Sequence, residues 1–120
     1  MTINEYQHKA MRTKSCTPFV ILNNKDEIHK AELLEGIMGL NGEAGECVDI
    51  LKIHIFQGHD IERGHLASEL GDVAWYLALS AYAIGYDLDS IFQLNIEKLK
   101  KRYPNGFECE KSLNRDKNDI

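Results

Sequence analysis

Four carboxylates stand in two short pairs, Glu43-Ala-Gly-Glu46 and Glu69-Leu-Gly-Asp72, each inside a stretch whose apolar residues recur at helical spacing. An i,i+3 step turns about 60° around a helix and rises about 4.5 Å along it, so the two acids of a pair aim at one point. Ala44, Cys47 and Val48 flank the first pair, and Leu70, Val73 and Trp75 flank the second, which places both at the edge of a core. Carboxylates beside apolar surroundings are costly unless something neutralises them. If the two helices pack antiparallel, all four acids line one pocket and repel one another strongly without a cation. Oxygen donors alone suit a hard ion, Mg²⁺ or, as a substitute, Mn²⁺. The bland alternative, acids at i,i+3 on a solvated face, is weakened by the apolar neighbours. A di-iron carboxylate bundle would use Glu-x-x-His pairs. His54, His59 and His65 fall outside the motif, near the interhelical loop, and read as surface residues.

A second set is basic. Asn95, Lys98 and Arg102 are spaced i, i+3, i+7 and share one helical face, with Lys101 beside them. Such a face suits phosphate oxygens next to a metal. Its plain alternative is a helix C-terminus that favours cations through the macrodipole.

The elements that must position these groups are helices. A short first helix spans about Asn4 to Arg12, capped by Thr2 or Asn4. Thr17-Pro18 marks a break beyond it, because the residue before proline is pushed out of helical conformation. Phe19 to Leu22 fit a short strand or the apolar start of a helix. The second helix is expected from about Asp26 to Ile55, with Leu33, Leu34, Ile37, Met38, Ala44, Val48 and Leu51 in register. Its glycines, Gly36, Gly39, Gly42 and Gly45, suit close approach of a neighbour, and a break near Gly39 to Gly42 competes with that reading. The third helix is expected from about Ile61 to Ile84, ended by Gly85. Its second half is apolar nearly all round, as in a helix covered on several sides, which in a small domain suggests a second subunit. Asp87 or Asp89 caps a fourth helix, and Pro104-Asn105-Gly106 ends it. The architecture is an all-α bundle with one domain over residues 1–107 and a charged C-terminal tail over 108–120, mobile or draped on a partner.

The bulk properties narrow the function. The 120 residues suffice for one domain with a real core. A formal net charge of −5 argues against non-specific nucleic-acid binding, which needs a basic field. Cys16, Cys47 and Cys109 form no disulfide framework and no CxxC pair, consistent with a reducing, cytoplasmic setting. Cys47 reads as a small core residue. The longest apolar run, Val73 to Ile84, is too short to span a bilayer, and the N-terminus lacks the apolar stretch of a signal peptide.

Together these segments resemble the MazG-like all-α nucleoside triphosphate pyrophosphohydrolases. The E-x-x-E, spacer, E-x-x-D signature reads here as Glu43-x-x-Glu46, twenty-two residues, then Glu69-x-x-Asp72. The fuller segments GLNGEAGECVDILK, ELGDVAWYLALSAYAIGYDL and NIEKLKKRYPNGF come in the family's order, and EYQHKAMRT is similar to the first helix of compact, single-domain members. The resemblance implies a four-helix-bundle-like, oligomeric fold. It implies Mg²⁺-dependent hydrolysis of a (deoxy)nucleoside triphosphate to monophosphate and pyrophosphate, in the manner of nucleotide-pool house-cleaning. Glu43, Glu46, Glu69 and Asp72 would be the catalytic metal ligands. Asn95, Lys98 and Arg102 would hold phosphates, Tyr76 would face the same pocket toward sugar or base, and Lys52 is a further phosphate candidate. The partners implied are the triphosphate and a second copy of the chain, as a homodimer or a dimer of dimers. Relatives acting on phosphoribosyl-ATP or dUTP, and a non-catalytic helical module that has lost turnover, are the alternatives. The segment Lys111-Ser-Leu-Asn-Arg115 is similar to a family extension.

Overall fold

The computed structural model describes residues 1–15 and 29–120. The described residues fold into helices: α1 (Ile3–Met11), α2 (Lys30–Gln57), α3 (Arg63–Ala83), α4 (Leu88–Arg102) and a short α5 (Cys109–Leu113). The Thr17-Pro18 break, the Phe19–Leu22 segment, Cys16 and the expected start of the second helix at Asp26 lie outside the described residues.

Side-chain caps start two of the helices, α1 and α4. Thr2 caps α1 in a reciprocal capping box with Glu5, satisfying two backbone N–H groups that the first turn leaves without partners. Asp87 caps α4 by accepting from the Ser90 N–H at 2.8 Å. That bond holds the Asp87 carboxyl below its usual range. Gly85, at φ 77°, makes the left-handed turn after α3 that a side chain would strain.

The antiparallel pair α2–α3 is the backbone of the fold. Gly36 and Gly39 decide how closely it packs. A Cβ on Gly36 would overlap the Ser80 hydroxyl and lie 3.1 Å from the Ser80 backbone nitrogen, and one on Gly39 would run into the Tyr76 ring. The two glycines therefore serve close approach, and α2 continues unbroken through them to Gln57. The core sits at the far end of α3, where Ala10, Ala78, Ala81 and Leu88 are buried together and Tyr6, Trp75 and Ile91 pack against them.

Polar side chains lock this end. Gln7, buried on α1, donates to the carbonyls of Ala78 (3.3 Å) and Tyr86 (3.1 Å) and accepts from the Leu88 N–H (2.9 Å). One amide thus ties α1 to α3, to the turn after it and to the first turn of α4. Glu32 is fully buried, an arrangement that requires partners. Lys14 provides one at 2.9 Å and His29 Nδ1 lies 3.3 Å away.

Away from this end the helices diverge. Leu34, Ile37, Met38, Val48 and Ile55 are each more than half exposed, and at about 100° per residue they form one stripe on α2, opposite the side that meets α3. Among the described residues, the apolar neighbours of the acidic pairs are therefore only partly covered: Val73 and Trp75 are half-buried, and Trp75 packs against the core. Val48 and Leu70 are exposed and Cys47 is half-buried. The radius of gyration, 17.7 Å, exceeds the roughly 14 Å of a compact chain of this length. The tail differs from expectation as well: it forms α5 and returns to α4 through Asp119, which pairs with Arg102.

Candidate metal and phosphate site

One face of α3 carries His65, Glu69, Asp72, Tyr76 and Ser80, at steps of four, three, four and four residues. At about 100° per residue these stay within a narrow stripe. Gly36, Gly39 and Glu43 form the matching stripe on α2. The glycines bring the helices together at one end of this seam, and the acids meet farther along it.

Glu43, Glu69 and Asp72 converge, with one carboxylate oxygen from each lying within 4.8 Å of the others. Burial raises the Glu43 pKa above its ordinary value, and the charges of Asp72, Glu69 and Glu46 raise it further. Glu46 is exposed and stands outside the trio, one step around α2, yet close enough to act on Glu43 electrostatically. A cluster of oxygen donors that repel one another in the absence of a cation fits a hard divalent ion by its donor chemistry.

Two neighbours of the trio escaped sequence reasoning. His65 Nε2 lies 3.1 Å from Glu69 Oε1, so this histidine belongs to the rim of the acidic site; its i,i+4 spacing to Glu69 was the available signal. Tyr6 of α1 packs against the core on α3, and its hydroxyl pKa is raised by burial and then by the charge of Asp72. No sequence pattern connects residue 6 to residue 72.

The remaining candidates fall in different places. Tyr76 is half-buried on the seam, its ring over Gly39 and edge-on to Trp75 at 5.0 Å. Lys52 pairs with Asp49 at 3.1 Å on an exposed surface, about 180° around α2 from Glu43. Asn95 is exposed on α4. Lys98 and Arg102 line an open cleft of about 730 Å³ between α4 and the tail, together with Lys101, Lys111, Asn114 and Asp119. None of the three clustered acids lines this cleft.

The family model described as MazG nucleotide pyrophosphohydrolase domain matches residues 32–107, a span holding the acidic quartet and the basic face of α4. The Gene 37 protein of Mycobacterium phage L5 is 37% identical over 73 residues, covering 58% of this chain and 64% of that protein. The chain thus spans less than two thirds of that relative's length, and the relative's name states no activity. No solved structure matches the chain. Among the described residues, no helix is long and apolar enough to cross a membrane. With the match extending over more than half of the sequence and enclosing the converged carboxylates, the chain belongs to the MazG nucleotide pyrophosphohydrolase domain family.

Proposed function

We propose that the protein hydrolyses nucleoside triphosphates to monophosphate and pyrophosphate with Mg²⁺ at the Glu43–Glu69–Asp72 cluster. The observation that carries this is the convergence of three carboxylates from two helices, with Glu43 held toward its protonated form by burial and by its acidic neighbours. A scaffold gains nothing from such repulsion, whereas a cation site needs it. A bound Mg²⁺ would lower the pKa of a water and neutralise triphosphate charge. Glu43, Glu69 and Asp72 would hold the ion, and Glu46, one step around α2, would be the fourth acidic ligand. Lys98 and Arg102 hold phosphate oxygens with charge-assisted bonds, which stabilise the pyrophosphate as it leaves. Tyr76 borders the seam at the level where sugar or base would lie, and Asn95 extends the phosphate-facing side of α4. Lys52 would act only across an interface.

The absence of the clustered acids from the cleft that Lys98 and Arg102 line, the exposed apolar stripe on α2 and the open protomer support a self-associated active form in which packed copies complete the site. The domain over 1–107 is the catalytic unit in this reading. A panel of canonical and modified nucleoside triphosphates, incubated with Mg²⁺ and resolved by chromatography, tests the proposal. Monophosphate should appear without diphosphate. Diphosphate with inorganic phosphate, or no product from any nucleotide, would contradict it.

A further inference from the structure

The cleft between α4 and the tail already holds an anion, and the anion belongs to the chain itself. Arg102 donates through Nε to Asp119 Oδ2 at 2.6 Å and through its second terminal nitrogen to Oδ1 at 2.8 Å. A guanidinium presents this two-pronged geometry to a phosphate as well as to a carboxylate. Arg115 Nε adds a longer contact to Oδ2 at 3.4 Å. The Arg102 and Asp119 side chains are only 14% and 16% exposed, so the pair withholds most of the guanidinium from any other ligand.

The surroundings make this an exchangeable plug. Lys98, Lys101 and Lys111 line the same cleft beside Arg102, against the carboxylates of Glu97, Asp116 and Asp119. Without Asp119 the lining has four cationic side chains against two carboxylate side chains. The Arg102 hydrogen bonds hold the Asp119 carboxyl down at about 2, so it is an anion at any working pH. Little apolar burial fastens the segment: Leu113 is 83% exposed and Ile120 is 94% exposed. The backbone N–H of Asp119 donates to the Asp116 carbonyl at 3.0 Å, a local turn that presents its side chain to α4.

We propose that Asp119 is a built-in competitor for phosphate, occupying the Arg102 guanidinium until a phosphate group of the nucleotide or of pyrophosphate displaces it and releases the tail. The proposal rests on the reading of Arg102 as a phosphate ligand. Its consequence is that the tail lowers affinity for polyphosphate and hastens release of pyrophosphate.

Calorimetric titration with inorganic pyrophosphate in magnesium-free buffer tests this on the full chain. Asp119→Ala should bind about twofold to fivefold more tightly than wild type, the scale of one partly exposed ion pair. Glu110→Gln, which removes one negative charge from the same segment without touching the Arg102 pair, should bind as wild type does. In an Arg102→Ala background, Asp119→Ala should bring no gain. Unchanged or weaker binding by Asp119→Ala, an equal gain from Glu110→Gln, or a gain that persists without Arg102 overturns the proposal. The two readings fail separately. A gain in pyrophosphate affinity from a protein that hydrolyses no nucleotide removes the hydrolase and keeps the competitor. Turnover without that gain does the reverse.

Discussion

Glu43 is the residue on which the chemistry of the site is most exposed to measurement. Its proton is held to higher pH in the folded chain than in the unfolded one, by burial and by three acidic neighbours. Between the ordinary carboxylate pKa and that raised value, the folded state binds more protons than the unfolded state, so this group's contribution to stability falls as pH rises. Glu43→Gln should therefore melt above wild type at neutral pH in metal-free buffer. The difference should vanish below the ordinary carboxylate range, where both side chains are neutral. Added Mg²⁺ should raise the wild-type melting temperature and leave that of the variant nearly unchanged, because a ligand that binds only the folded state stabilises it. Asp72→Asn should lower turnover by at least about a hundredfold, the scale of removing one preorganised electrostatic group, while circular dichroism stays helical. Unfolding of Asp72→Asn would mean that the carboxylate is structural.

At the scale of elements, the α2–α3 seam depends on close approach, and the α1–α4 junction is tied by Gln7 and by Asn4, whose Oδ1 accepts from the Asp89 N–H at 3.1 Å. Gly36→Ala should cost about 1–3 kcal/mol in chemical denaturation, because the added methyl meets Ser80 backbone that cannot move aside without separating the helices. Gln7→Ala should cost about 1–3 kcal/mol, because it leaves the buried Leu88 N–H without its acceptor. Much of this layer was legible in the sequence. The helices fall within a few residues of their expected bounds, the Asp87 cap is where it was expected, and the i,i+3 acidic spacing is the local pattern that puts both pairs near one seam. Local spacing did not reveal contacts between residues remote in sequence. The influence of Asp72 on the Tyr6 hydroxyl, the three bonds of Gln7 and the return of Asp119 to Arg102 each join residues that no periodicity relates. Nor did it reveal that Glu46 would stand one step outside the trio, since a 60° offset in a pair turns one acid away when the other faces the seam squarely.

For the whole molecule, the sequence identified the apolar residues but not which of them one chain buries. The apolar residues around the acidic pairs are present, yet Leu34, Met38, Val48 and Ile55 face outward and the buried core gathers at the other end of α3. In the proposed self-associated form, a second copy would cover the stripe they form. Sedimentation equilibrium should give at least twice the 13.7 kDa of one chain. Val48→Asp should shift the mass toward the monomer and, with the acidic and basic sets no longer brought together, abolish turnover. A monomeric wild-type protein with full activity would contradict that account of the site.

The central claim is that the converged carboxylates serve pyrophosphate release from a nucleotide. The most direct measurement is the amount of pyrophosphate formed per triphosphate consumed, in Mg²⁺ and again in excess chelator, by wild type and by Asp72→Asn. One pyrophosphate per triphosphate, lost with the chelator and lost with the substitution, is the predicted result. Inorganic phosphate in place of pyrophosphate, or a rate indifferent to both the chelator and Asp72, would contradict it.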